Sequence, residues 1–258
     1  MGIDRDPKLN KLLRNWQTGT VMTAETLKNM NYSYQLLDKY KKSNWLTSLG
    51  KGAYAIAGQE IHWPGALYSL QYQLNLPIRA GGISALEMMG FGHYLRNDKQ
   101  EIQLFGVEKK KLPQWFRNMI EKENLLIIGS NFLKNAETTP MTTREYGDFS
   151  IKISAPETAY LEMLFGVPGK TSFKEALEVS ENLITIRSDI LQSLLENSAS
   201  IKVNRLALYM AEYHQHDWFD KLQIEKINLG KGTRVIQEKG TLDTKYSITV
   251  PIQDKEFF

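Results

Sequence analysis

TAETLKNMNYSYQLLDKYKKSNWLTSLGKGAYAIAG, residues 23–58, is the stretch on which the fold turns. Thr23 is a good N-cap, and Glu25 in the following turn suits the positive end of a helix dipole. Leu27 and Met30 are spaced to face a core. Asn31 tolerates a left-handed backbone and so marks a turn. Ser33 then caps a second helix reaching about Lys42, with Leu36, Leu37 and Tyr40 inward. Residues 45–49 read as a strand, Gly50-Lys51-Gly52 as a tight turn with a basic tip, and residues 53–57 as the return strand. Upstream, Leu9, Leu12, Leu13 and Trp16 fall at i, i+3, i+4 and i+7, one face of a short helix over residues 8–16. Thr18-Gly19-Thr20 interrupts it, and Val21 and Met22 can enter a core. Helix, helix, turn, helix, strand, basic turn, strand is the order of a winged helix-turn-helix. We expect it over residues 1–60.

Charge points the same way. Residues 1–58 hold nine Lys/Arg against four Asp/Glu, whereas the other 200 residues hold 23 against 25. A basic head on a near-neutral body suits a polyanionic partner. The chain of 258 residues is 42% hydrophobic and has no cysteine, so disulfides, thiolate zinc sites and cysteine nucleophiles are excluded. Its first residues lack the apolar core of a signal peptide. No run of about 18 apolar residues is present to span a bilayer. A cytoplasmic protein is expected.

In a helix-turn-helix the second helix of the motif enters the major groove. With Leu36, Leu37 and Tyr40 inward, its outward set is Tyr34, Gln35, Asp38, Lys39, Lys41 and Lys42. Gln35 can pair with adenine in the bidentate manner, and Lys39 can reach guanine or a phosphate. Tyr34 suits a phosphate or a thymine methyl, and Lys41 and Lys42 the backbone phosphates. Lys51 at the wing tip suits an adjacent groove. The candidate DNA-binding set is therefore Tyr34, Gln35, Lys39, Lys41, Lys42 and Lys51. The competing reading is a winged module that binds protein. Asp38 either accepts from a cytosine amino group or holds Lys42 at i+4, and the second is preferred.

Beyond a boundary near residues 58–62 the pattern changes to a larger mixed α/β domain, residues 61–258, giving an α+β chain overall. Helices are expected over 63–74, 84–89, 156–165, 173–183, 188–197 and 202–214. Strands are expected over 101–105, 125–128 and 149–153, with extended segments at 226–229, 233–237 and 246–250.

Catalytic signatures are weak in this region. His214 and His216, with Asp217, could form a metal site, but HQHDW reads better as a helix C-terminus, where imidazolium suits the dipole. His93 reads as a packing residue. A restriction-type nuclease needs an acid, then acid-x-Lys; Asp148 and Lys152 lack the second acid, and Glu157 and Glu162 lie on an expected helix. Residues 166–171 end like a phosphate loop, but the first glycine is too near and no strand precedes it, so a helix-to-helix turn is expected. Phe91, Tyr94, Trp115 and Phe116 read as an aromatic packing cluster. No enzyme, metal or cofactor is expected.

The segments KLNKLLRNW, SNWLTSLGKGAY, WPGALYSLQ, GGISALEMMGFGHYL, IQLFG, LPQWFRN, ISAPETAYLEML, SFKEALE, VNRLALYMAE and LDTKYSITVP occur in that order. In them nearly the whole chain resembles the AbiEi-type antitoxins, transcriptional regulators of abortive-infection (type IV) toxin–antitoxin operons. The resemblance implies an N-terminal winged helix that represses its own operon at inverted repeats in double-stranded DNA. It also implies a larger domain that counteracts a nucleotidyltransferase-type toxin, with no stable complex required. By position, Tyr34, Gln35, Lys39 and Lys42 correspond to the recognition helix, and Gly50, Lys51 and Gly52 to the wing. No catalytic residue is implied. The alternative is a stand-alone DNA-binding regulator without a toxin.

Overall fold

The computed structural model describes residues 7–92, 101–129, 132–134, 139–238 and 240–251. The chain begins with α1 (Pro7–Arg14), β1 (Met22–Thr23), α2 (Ala24–Asn29), α3 (Tyr34–Lys42), β2 (Leu46–Gly50) and β3 (Ala53–Ile56). The caps form as the sequence requires. Thr23 Oγ1 accepts from Thr26 N at 3.2 Å and Ser33 Oγ from Leu36 N at 3.3 Å. Asn31 takes φ 65° between α2 and α3. Leu9, Leu12, Trp16, Leu27, Leu37, Tyr40 and Tyr54 make one small core.

The sheet of this module has three antiparallel strands in the order β1-β3-β2. The register steps between Ser48 and Gly50, so Leu49 is the extra residue of a bulge beside the wing tip. β1 was not anticipated, because a two-residue strand has no periodicity to detect. Trp45, expected in the strand, precedes it.

Next come α4 (Trp63–Tyr72), β4 (Arg79–Ala80), α5 (Gly82–Met88), β5 (Ile102–Phe105), α6 (Gln114–Arg117), β6 (Leu125–Ile128), β7 (Met141–Tyr146) and β8 (Phe149–Ser154). The five strands form one mixed sheet in the order β6-β5-β4-β8-β7. α7 (Pro156–Gly166) packs on it, and α5, α8 (Phe173–Glu181), α9 (Ser188–Asn197) and α10 (Ile201–Tyr213) pack on α7. Finally β9 (Arg234–Val235), β10 (Thr241–Asp243) and β11 (Ile248–Val250) form a small sheet, order β10-β11-β9. Residues 226–229, expected to be extended, instead begin at the last residue of a 3-10 turn, Ile224–Lys226, and join no sheet among the described residues. Gln192 holds this segment at Gln223, through both its backbone N and its carbonyl.

A second, larger core runs through Leu104, Ile151, Ile153, Tyr160, Leu161, Leu164 and Leu206, and it reaches into the winged module at Val21, Ala53 and Ala55. β3 therefore has two buried faces. Tyr54 points to the small core, and Ala53 and Ala55 to the large one, as the period-2 alternation of a strand demands. α4 meets the winged module at close range at Gly65, where a Cβ would lie 1.9 Å from Gly19 O.

Candidate nucleic-acid interface

α3 is amphipathic. Leu37 and Tyr40 are buried, while Tyr34, Gln35, Lys39 and Lys42 are exposed. Tyr34 is 65% exposed, unusual for so large a ring with an apolar body. Lys39 and Lys51 make no ion pair among the described residues, and Lys51 is exposed on the wing turn. Asp38 takes the role preferred for it and one more: its carboxylate pairs with Lys42 at 3.0 Å and with Lys41 at 3.1 Å. The hydrogen bond from Lys42, then that from Lys41, holds its carboxyl below the usual carboxylate range. Of the sequence-derived set, Tyr34, Gln35, Lys39, Lys42 and Lys51 are exposed and Lys41 is half-buried.

Sequence reasoning missed what stands beside the wing. Trp115 of α6 packs on the wing strand, so that a Cβ at Gly50 would lie 3.3 Å from Trp115 Cβ. The turn leading into α6 is Lys109-Lys110-Lys111, all three exposed, and α6 itself ends on Arg117. Lys110 pairs with Glu108 at 2.7 Å and Lys111 at 3.8 Å. Arg117 donates to Gln114 Oε1 at 2.6 Å, and its buried Nε has no hydrogen-bond partner among the described residues. A lysine triplet was visible in the sequence, but nothing there brought the helix that follows it against residue 50.

The two buried carboxylates of the second region, Glu157 and Glu162, are held in ion pairs. Glu157 receives a bidentate pair from Arg187, both bonds 2.9 Å. Burial alone would raise its carboxyl, but the Arg187 bonds outweigh this and hold it below its ordinary value. Glu162 is bound to Arg79 at 2.6 Å, Ser154 Oγ at 2.6 Å and Gly82 N at 3.0 Å. Asp148 is exposed at the β7–β8 turn, and the Lys152 ammonium sits 5.0 Å from the centre of the Tyr72 ring. Residues 167–172 link α7 to α8, the turn expected there.

His214 caps the end of α10, as expected. Burial works against the imidazolium form expected there. Each Nε2 lies 2.8 Å from a carbonyl, His214 from Leu177 and His216 from Ser180, so each must donate there. Burial pushes both rings below the ordinary histidine value. The two packed rings tie the end of α10 and the residues after it to α8. No group of three or more His, Asp or Glu suited to a metal occurs among the described residues. Trp115 and Phe116 are buried and in edge contact, and Phe91 is half-buried; His93 and Tyr94 lie outside the described residues.

A family model described as the N-terminal domain of the AbiEi antitoxin transcriptional regulator matches residues 5–97. A second, described as "Transcriptional regulator, AbiEi antitoxin, Type IV TA system", matches residues 99–251. The chain belongs to the AbiEi antitoxin family. AbiEi proteins are transcriptional regulators rather than enzymes, which implies DNA as a target, and an antitoxin implies a toxin as counterpart. A crystal structure of the RV2827C protein from Mycobacterium tuberculosis shares the fold with a TM-score of 0.62 at 14% identity, over 93% of this chain and 89% of that one. No curated protein matches. No described helix of this AbiEi chain is long and apolar enough to cross a membrane.

Proposed function

We propose that the protein is a cytoplasmic, autoregulatory antitoxin. It binds inverted repeats in its own promoter and counteracts a nucleotidyltransferase-type toxin without forming a stable complex with it. Tyr34, Gln35 and Lys39 read the major groove, Lys41 and Lys42 hold phosphates, and Lys51 contacts the duplex from the wing. Residues 1–60 supply these contacts and residues 61–258 the antitoxin activity. The ridge at Lys109, Lys110, Lys111 and Arg117 extends the cationic surface. The observation that carries this reading is the exposed face of α3, whose apolar side is sealed in a core and which presents Tyr34, Gln35, Lys39 and Lys42.

Binding of a promoter duplex should weaken steeply with salt, because lysines displace counterions from phosphates. Lys39→Ala with Lys51→Ala should lower affinity at least tenfold. It should also reduce the slope of log K against log[salt] by roughly 2, at about 0.9 per phosphate. An unchanged slope rejects the assigned surface. Co-expression with the neighbouring gene product, scored as growth rescue, tests the antitoxin role; a regulator without a toxin would bind DNA and rescue nothing.

A further inference from the structure

α4 grips two sheets at once with two glutamines at its C-terminal end. A side-chain amide offers one acceptor and two donors in a plane, so it can stand in for a neighbouring strand. Gln71 Oε1 accepts from Lys152 N at 2.8 Å, and its Nε2 donates to Lys152 O and Ile78 O, both at 2.8 Å. This completes the pairing of β8 where the two-residue β4 does not reach it. Two positions on, Gln73 does the same for the other sheet. Its Oε1 accepts from Thr23 N at 2.8 Å and its Nε2 donates to Val21 O at 2.8 Å. Ser69 Oγ donates to the same Val21 carbonyl.

β1 is the edge of the winged sheet that faces α4, and Thr23 is also the N-cap of α2. Gln73 therefore holds the helix-turn-helix at the residue where it begins. The opposite edge strand, β2, meets the second domain by packing, with Trp115 abutting Gly50 and Leu49 lying against the larger core.

We propose that Gln73 is a positioning residue for DNA binding, fixing the winged module against the second domain so that Lys51 and the Lys109–Lys111 ridge engage one duplex together. The inference rests on the DNA-binding reading above. Two basic surfaces held rigidly add their contacts without a further ordering cost, whereas two surfaces that move independently pay that cost again. A glutamine that only stabilises the fold would leave the contribution of the ridge unchanged.

The test is a double-mutant cycle on the full-length protein, read by titration of the promoter duplex over a range of salt. The ridge variant Lys109→Ala/Lys110→Ala/Lys111→Ala should lower the salt slope by about 2 relative to the parent chain. In a Gln73→Leu background, which removes both bonds, the same triple change should lower it by less than half as much. Equal effects in the two backgrounds overturn the proposal, as does a ridge variant with no effect in the parent. Should Gln73→Leu not fold, Gln73→Asn, one methylene too short to span both partners, is read in its place. A parent chain that fails to bind the duplex rejects the DNA-binding reading itself, whereas binding without coupling rejects only the role of Gln73.

Discussion

Asp38 carries more information than any lysine around it. It sits mid-helix on the surface assigned to DNA, yet both of its neighbouring cations are turned toward it. Asp38→Asn should release Lys41 and Lys42 and remove one negative charge. DNA affinity should then rise a few-fold and the salt slope steepen by about 1. A fall in affinity at one base position would instead identify Asp38 as a reader of cytosine. His214 and His216 supply a second test at this scale. Their folded values lie below the ordinary 6.5, so below that pH the unfolded chain takes up more protons than the folded one. Stability contributed by the two neutral rings is complete above pH 6.5 and is lost as pH falls beneath it. The thermal midpoint should drop between pH 7.5 and pH 5.5, and His214→Gln with His216→Gln should flatten that drop. At the residue scale the sequence was most readable where a side chain acts on its own backbone, as at Thr23, Ser33 and Asn31. It was silent on Arg79 and Glu162, because a separation of 83 positions hides their meeting.

Elements were legible when their burial was one-sided. α1 and α3 announce themselves by apolar spacing, and the β2–β3 hairpin by its glycines. β7 gave no such signal. Met141 to Glu145 are exposed throughout, so its side chains show no alternation, and only pairing with β8 makes it a strand. β4 is hidden differently, being two residues long and held by side chains more than by its ladder. Arg79 reaches from it to Ser154 Oγ on β8 at 2.8 Å and to Glu162 on α7, and Glu162 reaches on to the first residue of α5. Removing one member of a buried pair strands the other's charge. Arg79→Ala should therefore cost about 3–5 kcal/mol in chemical denaturation. Arg79→Met with Glu162→Met should recover most of that loss, because replacing both partners with apolar groups of similar size avoids the unpaired charge.

For the whole molecule, the sequence suggested a head and a body meeting near residues 58–62, and the change in charge there is real. What it could not express is that the head has a second apolar face. Val21, Ala53 and Ala55 complete the body's core, and Gly65 allows backbone to meet backbone at Gly19. A charge profile cannot show this, since the residues involved are small and neutral. The same docking sets α6, which the lysine triplet precedes, against the wing strand.

Trp115 gives that junction an optical signature. Its indole is 3% exposed and its Cβ lies against the wing strand at Gly50. Any displacement of the wing must admit water to it. With the other tryptophans replaced by phenylalanine, Trp115 emission should be blue in the free protein and should stay blue on DNA if wing and body move as one. A red shift on adding duplex would show a hinge opening between them, and the protein would report it without a label.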